Sequence, residues 1–277
     1  MTIPNEPPGL TDRTALLRNR ARAAGKDAMF LHDLAAAEIK ERLTEVNRRF
    51  TSPAVVTGFS DLWRNLLPGA VVVADTPTLA LTPGAHDLVI HAMALHWADD
   101  PVGQLVQCRH ALRPDGLFLG VLMGGQTLAG LRAALAEAEV ALTGGLSPRV
   151  LPMADIRDLG ALMQRAGFAL PVADGTSHAV DYASMWHLMR DLRAMGEGNA
   201  LAARHRRPAP RALFDEAARR YAAEWPAPGG RVRAGFEMVF LTGWAPAPDQ
   251  PQPLRPGSAR QRLADALGTE ERPLPKT

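Results

Sequence analysis

Asp87-Leu88-Val89-Ile90-His91-Ala92-Met93-Ala94-Leu95-His96-Trp97-Ala98-Asp99-Asp100, continued after one amphipathic segment by Leu112-Arg113-Pro114-Asp115-Gly116-Leu117-Phe118, decides the fold of this chain. Residues 87–95 form a short run with almost no polar alternation, the pattern of a strand buried on both faces. Residues 102–112 repeat apolar positions at helical spacing, 113–116 make a turn, and 117–122 are apolar again. Strand, helix and strand in that order predict a parallel sheet with right-handed crossovers.

The same rhythm extends upstream. Ala54-Val55-Val56-Thr57 predicts a buried strand ending at Gly58, and 61–67 fits about two helical turns before Pro68-Gly69. Ala70-Val71-Val72-Val73-Ala74 predicts a second strand ending at Asp75. Residues 11–49 read as helix on the spacing of Leu16, Leu17, Met29, Phe30, Leu34, Ile39, Leu43 and Val46, with Gly25 dividing it and Thr11 or Asp12 as cap. The arginines of 18–22 read as a solvated helix face. Downstream, helices are expected at 126–142, 155–166, 182–195 and 213–224, with a strand at 168–173. A late strand at 235–244 is expected antiparallel at the far side of the sheet. A Pro- and Gln-rich linker follows Ala245, and a last helix is expected at 259–267 between Ser258 and Gly268.

Composition bounds the class. With 277 residues, 47% hydrophobic and 22% charged, the chain suits a folded α/β protein rather than a disordered one. A net charge of +2 and 5% aromatics exclude the basic, aromatic-studded surface of a nucleic-acid binder. There is no apolar run of membrane-spanning length and no visible secretory signal, and Cys108 stands alone, so the expected compartment is cytoplasmic. The organisation expected is an N-terminal helical segment at 1–49, an α/β domain at 50–245 with a cap inserted at about 126–235, and a tail at 246–277.

Beyond these patterns, residues 87–118 resemble the middle of a class I S-adenosylmethionine-dependent methyltransferase. Gly124-Gly125-Gln126-Thr127-Leu128, Gly145-Leu146-Ser147-Pro148-Arg149-Val150, Ile156-Arg157-Asp158-Leu159-Gly160, Leu162-Met163-Gln164-Arg165-Ala166-Gly167-Phe168 and Met189-Arg190-Asp191-Leu192-Arg193-Ala194-Met195-Gly196 stand in a fixed order. They resemble the branch containing the mitochondrial complex I assembly-factor proteins and their bacterial relatives, with malonyl carrier protein methyltransferases as more distant cousins. An arginine-hydroxylating role is attributed to part of that family. The resemblance implies a Rossmann-like fold: seven mostly parallel strands between helices, and S-adenosylmethionine at their carboxyl ends, as is general for open α/β sheets. It also implies a protein acceptor or assembly partner, with a complex I subunit as the candidate.

Two departures bear on the site. Family members follow the first strand with an acidic-Gly-x-Gly-x-Gly loop, because glycines let the backbone approach the cofactor. Here Thr57-Gly58-Phe59-Ser60-Asp61 has one glycine, and Gly58 suits either that loop or an ordinary turn. Asp87 follows Ala54 by only 33 residues, so one strand–helix unit of about 30 residues is missing. On this count residues 71–75 resemble the family's third strand, and Asp75 either faces the adenine or merely ends the strand. The cofactor-facing set is therefore Gly58, Asp75 and His91.

His96 and Trp97 lie just past the next strand, where donor and acceptor meet, and are the catalytic candidates; packing beneath a lid is the alternative. Asp99 and Asp100 suit helix capping. His86, His91 and His96 follow one another by five residues, which on a strand alternates their faces and makes no metal site. Among the arginines, Arg149 is the candidate for partner contact and Arg193 for internal pairing, while Arg190 suits pairing with Asp191 or Glu197. Arg204, Arg206, Arg207 and Arg211 suit a solvated loop. Two functions remain open: a methyltransferase acting on a protein, or a non-catalytic assembly factor on a degenerate methyltransferase fold.

Overall fold

Val55, Leu88 and Ile90 belong to strands that lack polar alternation because the sheet they build is covered on both sides. The computed structural model describes residues 9–23, 28–250 and 268. In it β1 (Pro53–Thr57), β2 (Val71–Val73), β3 (His86–Ala92), β4 (Leu112–Met123), β5 (Ala169–Tyr182), β6 (Pro226–Ala227) and β7 (Arg231–Trp244) form one sheet. The strand path is β2-β1-β3-β4-β7-β5, with β6 pairing β7. β1 to β4 are parallel to one another, and β7 runs antiparallel to β4, β5 and β6, so every strand but β7 shares one sense.

The helices are α1 (Arg13–Ala23), α2 (Phe30–Glu45), α3 (Ser60–Arg64), α4 (Pro101–Ala111), α5 (Ala129–Thr143), α6 (Ile156–Arg165), α7 (Met185–Ala194) and α8 (Arg211–Glu224). Alternation along each strand feeds two cores. Val55, Leu88, Ile90 and Leu119 meet Ile39, Trp63, Leu131, Leu188 and Tyr221 on one face. Ala54, Val56, Val89 and Phe118 meet Leu105, Cys108, Leu159 and Met163 of α4 and α6 on the other. The expected Rossmann-like α/β architecture is therefore present. All these elements lie in the compact unit Met1–Pro246, and Ala247–Thr277 forms a second unit. No described helix is long and apolar enough to cross a membrane.

Capping follows the sequence where a short acceptor precedes a helix. The Asp100 carboxylate accepts from Gly103 N–H at 2.8 Å with Pro101 in the first turn, and Asp155 accepts from Arg157 N–H at 2.8 Å. Of the two α1 candidates it is Asp12 that caps, accepting from Ala15 N–H at 3.0 Å.

β2 lies directly beside β1 and the link between them is reduced to the five-residue α3, in accord with the strand–helix unit that the spacing counts as missing. Three expectations are corrected. β7 is interior, held between β4 and β5 rather than at the far side. β5 is 14 residues long and runs through Asp174-Gly175-Thr176-Ser177, where propensity predicts a loop. Pairing with β7 from Val172↔Thr242 to Tyr182↔Val232 holds it extended, so the segment 126–235 contributes β5, β6 and the start of β7 to the sheet as well as helices. The helix expected from 182 accordingly starts at Met185. The helix expected at 259–267 and its cap Ser258 lie outside the described residues, as does Gly25.

Candidate functional site

The carboxyl ends of β1, β2 and β3 meet beneath α1. β1 turns at Gly58, Asp75 follows β2, and Met93, with φ of 49°, redirects the chain after β3 into a single 3-10 turn, Leu95–Trp97. A non-glycine residue in that region costs about 1 kcal/mol or more, and such strain gathers at functional sites. His96 and Trp97 are both buried.

Arg20 organises this crevice. It lies on the buried stripe of α1 with Leu16 and Ala23, and its side chain is 4% exposed. Its Nη1 donates to Asp75 Oδ1 at 2.7 Å, and Arg13 pairs with Asp75 Oδ2 at 3.2 Å. Burial alone would raise the Asp75 carboxyl, but the two guanidinium groups hold it below its usual range. The solvated-face reading of 18–22 fits Arg18 and Arg22, which are exposed, and fails for Arg20. The signal was present in the spacing: Arg13, Leu16, Arg20 and Ala23 follow the three- and four-residue steps of one helix stripe.

α1 is also tied down along its length. Thr11 N–H donates to Asp99 Oδ1 and Thr11 Oγ1 to Trp97 O, both at 2.8 Å. Asp12 pairs with Arg204 at 2.9 Å and Arg206 at 3.3 Å, and Asn19 Nδ2 donates to Gly198 O at 3.0 Å. Arg204 therefore is not a solvated loop residue. The expected caps divide: Asp100 serves α4, whereas Asp99 holds the start of α1.

On the other side of Trp97 a cavity of about 330 Å³ opens among Met123, Leu131, Met153, Phe214 and Glu197. The Glu197 side chain is 8% exposed. Its Oε2 accepts from Trp97 Nε1 at 2.8 Å and stands 3.5 Å from His96 Nε2, while Oε1 has no hydrogen-bond partner among the described residues. Burial pushes this carboxyl up, but His96, Arg20 and Trp97 outweigh it and bring its pKa to about 2. A buried, ionised, half-bonded carboxylate was not among the sequence candidates; Glu197 follows the quoted Met189–Gly196 string directly. The expectation for Arg149 is overturned, since Glu139 holds it in a bidentate pair at 2.6 and 3.0 Å. Exposed Arg193 donates to Met189 O and has no acidic partner among the described residues. Arg190 makes neither expected pair, since Asp191 accepts from Tyr182 and Glu197 from Trp97.

His91 is fully buried, its Nε2 hydrogen-bonded to Gln104 Oε1 at 2.7 Å, and burial lowers its pKa to about 4. His86 bonds the Ser52 carbonyl at 3.1 Å, so the three histidines serve three different partners. Among the described residues no group of three or more His, Cys, Asp or Glu is placed to hold a metal ion.

S-adenosylmethionine, the cofactor that the resemblance implies, would need the space at these strand ends. A Cβ placed on Gly58 would overlap the guanidinium carbon and Nη1 of Arg20, so the space in front of this turn is already filled. Phe59 takes the next position, its Cζ 2.9 Å from where a Cβ of Gly196 would stand. The cavity beside Arg13, Asp75, Pro77 and Gln104 measures about 130 Å³, well below the roughly 300 Å³ at which small-molecule sites begin. With α1 seated, the crevice does not fit the cofactor.

A methyltransferase-domain family model matches residues 28–120. "Arginine-hydroxylase NDUFAF5, mitochondrial" of Danio rerio is 33% identical over 245 residues, covering 86% of this chain and 68% of that protein. Its Homo sapiens counterpart is 36% identical over 199 residues, 70% of this chain and 56% of that one. A malonyl-[acyl-carrier protein] O-methyltransferase of Halorhodospira halophila is 37% identical over 180 residues, 62% of this chain and 57% of its own length. The chain thus spans about two thirds of the zebrafish relative and just over half of the other two. The cytoplasmic expectation is overturned by these names, since the zebrafish, human and Dictyostelium relatives are all mitochondrial. One cysteine and no spanning run fit any compartment that requires no disulfides, so composition did not discriminate.

Proposed function

The chain belongs to the class I S-adenosylmethionine-dependent methyltransferase family, in the branch of the complex I assembly factors and their bacterial relatives, and from that premise we propose that it engages an arginine side chain of a protein client. S-adenosylmethionine is the cofactor of the family. The observation that carries the reading is Glu197, which lines the cavity and whose buried Oε1 has no hydrogen-bond partner among the described residues. A buried charge left half-bonded is costly, and a guanidinium supplies both the countercharge and a planar pair of donors. Met123, Leu131 and Met153 line the wall against which the methylene stem would lie.

In this reading His96 and Trp97 are positioning residues that aim Glu197, while Gly58 and Asp75 seat Arg20. His91 packs behind them against Gln104. The relatives named arginine-hydroxylase make an arginine the natural guest, and a complex I subunit is the client that the family branch favours.

Calorimetric titration with a capped arginine peptide tests this, with the same peptide carrying citrulline as the uncharged control. Binding of the arginine peptide, at least tenfold weaker for citrulline and for Glu197→Gln, is expected. Equal binding of the two peptides, or binding that Glu197→Gln leaves unchanged, would refute it.

A further inference from the structure

We propose that α1 is a displaceable plug: Arg20, clamped to Asp75, stands in the cofactor's place, and a ligand of the S-adenosylmethionine class enters only when α1 lifts away. The inference rests on the cofactor class of the family and not on the arginine reading of the neighbouring cavity.

Three observations carry it. The space in front of Gly58 is filled by a side chain from α1 and not by a rearranged strand, so removing one helix empties it. The seat of α1 is mostly polar: Leu16 is the only large apolar side chain of α1 that it buries, with Ala15 and Ala23 beside it, while Leu17 is 56% exposed. The other attachments are the side chains of Thr11, Asp12, Arg13, Asn19 and Arg20 and the backbone bonds of Leu10 and Asp12 to Ala202 and Ala200, groups that recover hydrogen bonds from water once released. Finally, the closed arrangement leaves buried donors unmet, for Arg20 Nε and Nη2 have no partner among the described residues. An unmet buried donor penalises the closed state and not the open one.

A plug of this kind lowers apparent affinity by the fraction of molecules that are open, so loosening α1 raises affinity without touching the crevice. Thr11→Val with Asp12→Ala removes one hydroxyl bond, the helix cap and the Arg204 pair, all outside the Gly58 turn. Titration of the full chain with S-adenosylhomocysteine is expected to show affinity on the order of tenfold tighter for this double variant than for wild type. Hydrogen exchange on the wild-type chain gives a readout that does not depend on the variant's folding. Saturating S-adenosylhomocysteine is expected to speed amide exchange across residues 13–23 while leaving β3 and β4 protected. Equal affinity of the two proteins, binding by neither, or bound ligand with α1 still protected would each overturn the plug. The plug is read from S-adenosylhomocysteine binding and exchange in α1, and the arginine reading from the peptide titration and its Glu197→Gln control, so the two proposals fail separately.

Discussion

His32 makes folding depend on pH in a window where carboxylates contribute little. The ring sits on α2, 1% exposed, with Trp63 Nε1–H donating to its Nδ1 at 3.2 Å. Indole nitrogen only donates, so Nδ1 must stay unprotonated and the ring neutral. Burial, with smaller contributions from neighbouring charges, lowers its pKa to about 4, and burial does the same to His91. In each case the folded state refuses a proton that the unfolded chain accepts below about 6.5. Stability is therefore full above about pH 7.5 and falls as pH drops toward 4. Between pH 7 and pH 5 each ring removes about 2 kcal/mol, or about 4 kcal/mol for the two. Urea unfolding at the two pH values is expected to lose more than about 1 M in midpoint. His32→Gln keeps an acceptor for Trp63 and cannot titrate, so it is expected to remove about half of the loss. A midpoint that does not change from pH 7 to pH 5, or a His32→Gln protein as acid-sensitive as wild type, would refute the reasoning.

Cys108 is fully buried on α4 and its thiol pKa is raised by burial, so a disulfide reagent is expected to modify it only after denaturant is added; rapid labelling of the native chain would contradict the packing. Arg149→Ala leaves Glu139 without its bidentate partner, and the pair is only partly exposed. A loss of about 1–2 kcal/mol in urea unfolding is expected, with faster amide exchange at 144–153, whereas unchanged exchange there would show that the pair does not hold the loop.

The elements that sequence patterning read well are those buried on both sides. β1, β3 and β4 are apolar runs with turn residues at their ends, and no other local structure buries such a run so compactly. β5 was legible only in its first residues, because Asp174, Gly175 and Ser177 are held extended by β7, a partner some 60 residues away in the chain. The candidate site divides in the same way. The Gly58 turn, Asp75 and the His96-Trp97 pair were readable as strand-end residues. The place of Arg20 on the buried stripe of its helix was in the spacing but its partner was not, and Glu197, beyond α7, has no local pattern naming its partner.

The sequence by itself determined that this chain makes an α/β sheet with its candidate site at the strand ends, and that the unit between the first strands is short. Burial periodicity and turn chemistry act over a few residues, so a single sequence displays them. Only the tertiary structure decided what occupies that site. The ion pair of Arg20 with Asp75 spans 55 residues, and the bond of Trp97 to Glu197 spans 100. Whether a charged side chain is solvated or clamped depends on what packs across from it, and that is fixed only when distant elements meet. The arginines of α1 share one chemistry and one helix, yet Arg18 and Arg22 meet water while Arg20 fills the crevice.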